Sequence, residues 1–346
     1  MKRVIMDTNL EIKLINRDSL AEQVKAFRAA FHSPLSEQAV YDMWEKKHYA
    51  NPLGDSLAFG AYADGLLVGM NSFMPVDYLY KGETLHLLQS CESGVIPEYQ
   101  GKGIWSKLMK FAMNYIRNNT SYKAVIGFPN YRNSYPGFKK MGWMTLTNMN
   151  NYLMVNNPTA FSKILSSNKL IQYIGKISVV QRIGVGIVGR QYKRYEFEEV
   201  CDNEIVWNDC ENVLSIAHTE ELIDWKKHYK GLKTYNLKKN GEELASCLFS
   251  IGEFRGAPVL ILEKIEVSAK STLSLKKAIA LTLRCIARQF PEIAIVRVWT
   301  TQESIMERNL KKLLFIKFSH PNPFIINHQP SEIEGVDWSL SFFDLD

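Results

Sequence analysis

The stretch Gly94-Val95-Ile96-Pro97-Glu98-Tyr99-Gln100-Gly101-Lys102-Gly103-Ile104-Trp105-Ser106-Lys107-Leu108 reads as three pieces in succession. A strand ends at Val95, a loop with two glycines follows, and a helix starts near Ile104. Glycines allow backbone N–H groups to converge with no side chain in the way. The first turn of a helix leaves its own N–H groups unpaired and carries about half a positive charge. Together these make an anion cradle suited to a pyrophosphate, with Lys102 adding positive field. Two other phosphate motifs fail on pattern. A P-loop needs G-x-x-x-x-G-K-[ST], whereas here the lysine precedes the second glycine. A dinucleotide fingerprint needs a third glycine that is not present.

Upstream of this loop the chain alternates strand-like and helix-like pattern. Glu11 to Ile15 reads as a strand, Ala21 to Phe31 as a helix, and Ser36 to Tyr49 as a second helix with Val40, Met43 and Trp44 on one face. Leu57 to Tyr62 and Leu66 to Met74 are strands joined at Asp64-Gly65, a hairpin signal. Tyr78 to Tyr80 and Leu85 to Val95 continue the sheet across Lys81-Gly82. Downstream the period changes, and Ile104, Leu108, Phe111, Ala112, Tyr115 and Ile116 mark an amphipathic helix over 104–118. Ala124 to Phe128 follows as a strand, Ser134 to Met141 as a short helix, and Met144 to Val155 as a last strand.

Beyond this, residues 157–195 hold Lys and Arg but no Asp or Glu, and Phe161, Ile164, Leu165, Ile171 and Ile174 lie near one helical stripe. A connector that packs between two domains is the preferred reading, because the glycines near its end suit a continuous surface helix poorly. A basic element touching a membrane surface or a polyanion is the other. From about Val200 the rhythm returns: strands over 234–238, 243–250 and 259–267, a helix over 273–290, a strand over 294–299 and a helix over 303–314. Phe138-Lys139-Lys140-Met141 even has an echo in Leu310-Lys311-Lys312-Leu313. The pattern is that of one unit used twice.

Composition bounds the classes. The 346 residues are 46% hydrophobic and 23% charged, the balance of a globular protein rather than a disordered or fibrous one. A net charge of +6 is too small for this length to argue for nucleic acid. Five cysteines with no C-x-x-C pair speak against a disulfide framework or zinc knuckle and for a reducing cytoplasm. Met1 to Asp7 turns acidic too early for a signal peptide. No stretch approaches the roughly 18 unbroken apolar residues of a membrane span. The histidines show no ligand spacing, so no metal is expected. Cys91 reads as a small buried apolar residue more than a nucleophile, and Trp225-Lys226-Lys227-His228-Tyr229 as a helix packing its aromatics.

At Gln100-Gly101-Lys102-Gly103-Ile104-Trp105 the sequence resembles the GNAT superfamily of acyl-CoA-dependent acyltransferases, whose hallmark is Gln/Arg-x-x-Gly-x-Gly/Ala. Two fixed positions match; the third is Trp105, with small Ser106 next. Val95-Ile96-Pro97 and the segment from Asn130 to Gly142-Trp143 also fit, so the resemblance covers roughly residues 10–155. It implies acetyl-CoA as co-substrate, held by Val95, Gln100, Gly101, Lys102, Gly103, Ile104, Trp105, Ser106 and Asn130. Such enzymes bind acetyl-CoA between the fourth and fifth strands, and an amine attacks directly. The family's usual basic glutamate falls near Gln89, an amide, which leaves Glu92 as the nearest candidate base, on the opposite side of the strand by alternation. The usual acidic tyrosine falls at Phe138, which leaves Tyr135 one turn earlier.

The expected architecture is α/β with a mixed sheet: two GNAT-like domains, each a twisted mixed β-sheet flanked by helices. Residues 1–156 form the N-terminal acetyltransferase domain, 157–200 a basic helical connector, and 201–346 a C-terminal GNAT-like domain lacking the cofactor loop, since Val267-Ser268-Ala269-Lys270-Ser271-Thr272-Leu273 has no glycine. The expected activity is acetyl transfer to an amine of a small or sugar-linked acceptor. A non-catalytic acyl-CoA sensor and a tRNA-dependent aminoacyl transferase of tandem type are the alternatives.

Overall fold

The computed structural model describes residues 9–162, 181, 185–200 and 213–345. Ile164, Leu165, Ile171 and Ile174 of the expected connector stripe lie outside them. The described chain divides into two compact units that are not consecutive in sequence. Of the described residues, the first takes 9–146 together with 221–225 and 324–335, and the second takes the others.

In the first unit, β1 (Leu10–Ile15), β2 (Leu57–Ala63), β3 (Leu66–Tyr80) and β4 (Glu83–Val95) pair antiparallel in chain order. Asp64 and Gly65, at φ 51° and 82°, make the tight turn between β2 and β3, a conformation that the Asp-Gly pair supplies at low cost. Sequence pattern splits β3 at Pro75, yet β4 pairs with it without interruption from Phe73↔Ser90 to Tyr80↔Glu83, so it is one strand. β5 (Val125–Gly127) then lies parallel to β4.

Two helical layers cover this sheet. On one face, α1 (Leu20–Phe31) and α2 (Glu37–Trp44) bury Leu20, Val24, Val40 and Trp44 against Ile15, Ala58, Tyr62 and Met70. Ser36 caps α2 through its hydroxyl, which accepts from Ala39 N–H at 3.1 Å, and a single π-helical turn, Glu45–Tyr49, extends it. On the other face, α3 (Ile104–Asn119) lays Ile104, Leu108, Met109, Ala112 and Ile116 onto Phe59, Val68, Phe73, Leu88 and Val95. This is the stripe that the 3- and 4-residue steps predict.

After α4 (Tyr135–Lys140) comes β6 (Met144–Val155), with the predicted bounds. α5 (Pro158–Ser162), β7 (Glu196–Glu199), β8 (Ser215–Ile216) and α6 (Glu220–Lys230) follow. Then come β9 (Lys233–Lys239), β10 (Glu242–Phe254), β11 (Ala257–Val267), α7 (Leu275–Gln289), β12 (Ile295–Thr301), α8 (Ile305–Lys312), β13 (Ile316–Lys317) and β14 (Asn322–Ile326). The second unit carries the strand order β6-β12-β11-β10-β9-β7. Within it β9, β10 and β11 form an antiparallel meander, α7 crosses over, and β12 runs parallel to β11. That is the same progression as β2, β3, β4, α3 and β5. In the first unit, Ile325 and Ile326 of β14 pair antiparallel with Gly127 and Ile126 of β5, and Asn327 Oδ1 accepts from Val125 N–H at 2.8 Å.

Candidate active site

The site begins where β4 and β5 separate. Their parallel pairing is confined to Leu88↔Val125, Gln89↔Ile126 and Ser90↔Gly127, while β4 runs on to Val95. A 3-10 turn, Pro97–Tyr99, then leads into the loop. Gln100 folds its side chain back, and its Nε2 donates to Val95 O at 2.9 Å, which ties the loop to the strand end. Gly101 and Gly103 sit at φ 73° and 74°, the left-handed region that other residues enter at a cost of roughly 1–2 kcal/mol. A Cβ built on either meets no described atom within 4 Å, so the loop faces open space. Gly103 N-caps α3 with no side-chain cap, and the first intrahelical bond runs from Lys107 N–H to Gly103 O at 3.2 Å. The N–H groups from Gly103 to Ser106 therefore have no partner within the helix. No acidic residue occupies this first turn. The geometry is that of an anion cradle.

The other expected binding residues take definite places. Lys102 lies over the Tyr99 ring, 4.4 Å from its centroid, with its backbone in the loop. Trp105, the departure from the family pattern, is half-buried between the end of β4 and α4. Its Nε1 donates to Ser93 Oγ at 2.5 Å and its ring meets Phe138 edge-on at 5.1 Å. Gly137 makes the room, since a Cβ there would stand 3.0 Å from the Trp105 ring. Ser106 is exposed on the first turn. Asn130 organises the chain after β5: its Oδ1 accepts from Arg132 N–H at 3.0 Å and its carbonyl accepts from Tyr135 N–H at 3.0 Å. Tyr135 stands half-buried at the start of α4, its hydroxyl 2.8 Å from Thr145 Oγ1 and its ring stacked on Tyr131. Phe138 is in the core between Trp105 and Trp143.

Glu92 requires a correction. Alternation places it on the side of β4 opposite Gln89, but β4 bulges here: Ser72 pairs with Cys91 and Met70 with Gly94, and Glu92 takes φ 36°. Leu88 and Val95 both pack on the α3 face, which an unbroken alternation across seven steps could not achieve. The bulge turns Cys91 and Glu92, consecutive residues, to the α1–α2 side together. There Lys47 Nζ lies 2.5 Å from Glu92 Oε1 and His48 Nε2 3.2 Å from Oε2. Burial works against the charged carboxyl, but the Lys47 and His48 charges outweigh it and hold Glu92 well below the usual carboxylate range. Sequence reading missed Lys47 and His48. The signal was a basic run, Lys46-Lys47-His48, at the end of a helix whose other residues fit an ordinary amphipathic face.

The second unit carries its own buried carboxylate. Glu307, on α8, accepts from Asn150 Nδ2 at 2.6 Å, Tyr152 Oη at 2.7 Å, Glu303 N–H at 2.8 Å and Lys311 Nζ at 3.0 Å. Burial alone would raise its pKa, but these donors more than offset it and bring it to about 2. The folded value lies below the unfolded one, so the stabilisation is complete above roughly pH 4.5 and fades as pH falls toward 2. Thermal unfolding between pH 5 and 2.5 is expected to show a shallower loss of stability for Glu307→Gln than for the wild type. Parallel pH profiles would remove Glu307 from the acid response.

Residues 11–146 match the acetyltransferase (GNAT) domain family. No curated protein matches the sequence. Among solved structures, the chain is similar to a GCN5-related N-acetyltransferase from Anabaena variabilis, at 12% identity over 92% of this chain and 72% of that one, with a TM-score of 0.58. It is also similar to a conserved protein of Enterococcus faecalis described as a probable N-acyltransferase, at 11% identity over 92% and 72%, with a TM-score of 0.60. A GCN5-related glucosamine N-acetyltransferase region of a fungal multi-domain β-N-acetylglucosaminidase aligns at 12% identity over 93% of this chain and 38% of that one, with a TM-score of 0.53. At these identities the likeness is one of fold. Among the described residues, no helix is long and apolar enough to cross a membrane.

Proposed function

We propose that the protein, whose residues 11–146 carry a GNAT acetyltransferase domain, moves an acetyl group from acetyl-CoA to an amine of a small or sugar-linked acceptor. The observation that carries this reading is the β4–β5 split, which opens directly into an uncapped helix N-terminus through a loop with open space beside Gly101 and Gly103. The N–H groups from Gly103 to Ser106 hold the pyrophosphate, and the β4 edge near Val95 offers an N–H to the thioester carbonyl as charge develops there. The amine nitrogen attacks the carbonyl carbon and the carbon–sulfur bond breaks, with both reactants held in one site. The leaving thiolate takes its proton from Tyr135, and water takes the amine proton. Glu92 serves as a buried charge anchoring the bulge, because a carboxylate stabilised this strongly is a weak base near neutrality. The glucosamine-acting neighbour makes amino sugars the first acceptors to test. No disulfide joins the described cysteines Cys91, Cys247 and Cys285, which suits a cytoplasmic setting.

The second unit is proposed as a GNAT-like unit without a cradle. Its α7 begins at Ser274, whose hydroxyl accepts from Lys277 N–H and so fills the position that stays open at Gly103. A sensor without turnover is the competing reading, favoured by Gln89 at the family's base position, buried at 2% exposure, and by Phe138 in the core. Acetyl-CoA turnover with a panel of amines separates the two. Within the enzyme reading, Tyr135→Phe is expected to lower kcat about 100-fold with KM for acetyl-CoA nearly unchanged. Equal kinetics would take Tyr135 out of the chemistry.

A further inference from the structure

Beneath the π-helical turn of the first unit, three side chains of different chemistry meet. One ligand atom each from His48, Cys91 and Glu92 lie within 4.8 Å of one another. Adjacent residues of a regular strand point to opposite faces, and the bulge at Glu92–Ser93, with Glu92 at φ 36°, is what lets Cys91 and Glu92 share a target. His48 Nε2 and Glu92 Oε2 stand 3.2 Å apart, a buried ion pair. His48 is 1% exposed. The two paired atoms lie beside Cys91 Sγ in the same buried cluster.

The outward atoms of the same groups are occupied. His48 Nδ1 lies 2.9 Å from the Ser56 hydroxyl, which can accept a proton held on Nδ1; metal binding would require that tautomer, with the lone pair on Nε2 and the imidazole neutral. Lys47 takes Glu92 Oε1 and leaves Oε2 inward. Outer partners of this kind orient metal ligands. Ser72, cross-strand from Cys91, adds a buried hydroxyl with no hydrogen-bond partner among the described residues.

We propose that His48 Nε2, Cys91 Sγ and Glu92 Oε2 bind a divalent transition metal of the zinc class. One nitrogen, one sulfur and one oxygen suit such an ion, whereas calcium and magnesium take oxygen ligands. Binding requires the Cys91 thiol to give up its proton. Thiolate and carboxylate then balance the two charges of the ion, which lets Lys47 remain beside Glu92. The ion would pin the π-turn to the bulge.

The test uses the full chain and Co²⁺ as the probe, with no readout from turnover, so its result is separable from that of the acyl-transfer reading. The wild type is expected to keep one cobalt per chain through desalting and to show a thiolate-to-cobalt charge-transfer band that Zn²⁺ abolishes. Cys91→Ser should lose the band, and His48→Gln should weaken Zn²⁺ affinity about 10–100-fold, both with unchanged far-ultraviolet circular dichroism. Should either variant fail to fold, zinc X-ray absorption of the wild type decides instead, one sulfur with two or three light scatterers being expected. A wild type that retains no cobalt, a band that survives in folded Cys91→Ser, or a zinc shell without sulfur would overturn the proposal and leave only the Lys47–Glu92 ion pair.

Discussion

Gly103→Glu is expected to weaken CoA binding at least 100-fold while leaving the fold intact. The substituted Cβ meets no described atom within 4 Å, so the side chain enters the space beside the cradle without a clash. The backbone at φ 74° costs roughly 1–2 kcal/mol for a non-glycine residue, too little to unfold the first unit. A carboxylate at a helix N-terminus is also locally favourable. The loss falls on the ligand, because the new charge takes the N–H groups that the pyrophosphate needs. Hydrogen bonds to charged groups contribute about 1.5–3 kcal/mol each, and losing two of them accounts for 100-fold or more. Gly103→Ala separates strain from charge and should lose far less. Calorimetry with CoA measures both, and equal affinities for the glutamate variant and the wild type would remove the cradle.

Lys47→Met is expected to lower stability by about 3–5 kcal/mol when a chelator is present, because it leaves the buried Glu92 carboxylate without its ammonium. The side chains of Lys47 and Glu92 are only 6% and 10% exposed, so water cannot compensate. Adding Glu92→Met to the same chain should restore half or more of the loss, since replacing both partners removes the stranded charge. Denaturant unfolding of the two variants gives the comparison; a double variant no better than the single one would show that the pair is not energetically coupled. The pair also has an acid limit of definite sign. The folded pKa of Glu92 is depressed, so its contribution is full above roughly pH 4.5 and declines as pH falls below that.

Local pattern made the first unit largely legible. The α3 stripe, the strand–glycine-loop–helix junction and the Met144–Val155 strand all follow from periodicity and turn chemistry over a dozen residues. What escaped was non-local or irregular. A bulge at Glu92 places a glutamate at positive φ, and no residue type in Cys91-Glu92-Ser93 signals it. The π-turn that delivers Lys47 and His48 reads from sequence as more of the same helix. Residues 324–335 join the first unit through pairs such as Ile325↔Gly127, nearly two hundred positions apart, for which no local pattern exists. Trp105 was visible as a departure, and its reason lies in three dimensions: Ser93 accepts its N–H, and Gly137 leaves space for its ring.

The most direct measurement is a crystal structure of the full chain soaked with acetyl-CoA. The expected result is phosphate density against the backbone N–H groups from Gly103 to Ser106, with the pantetheine arm running between β4 and β5. Density beside Ser274 in the second unit, or a first-unit loop that excludes the coenzyme at saturating concentration, would contradict it.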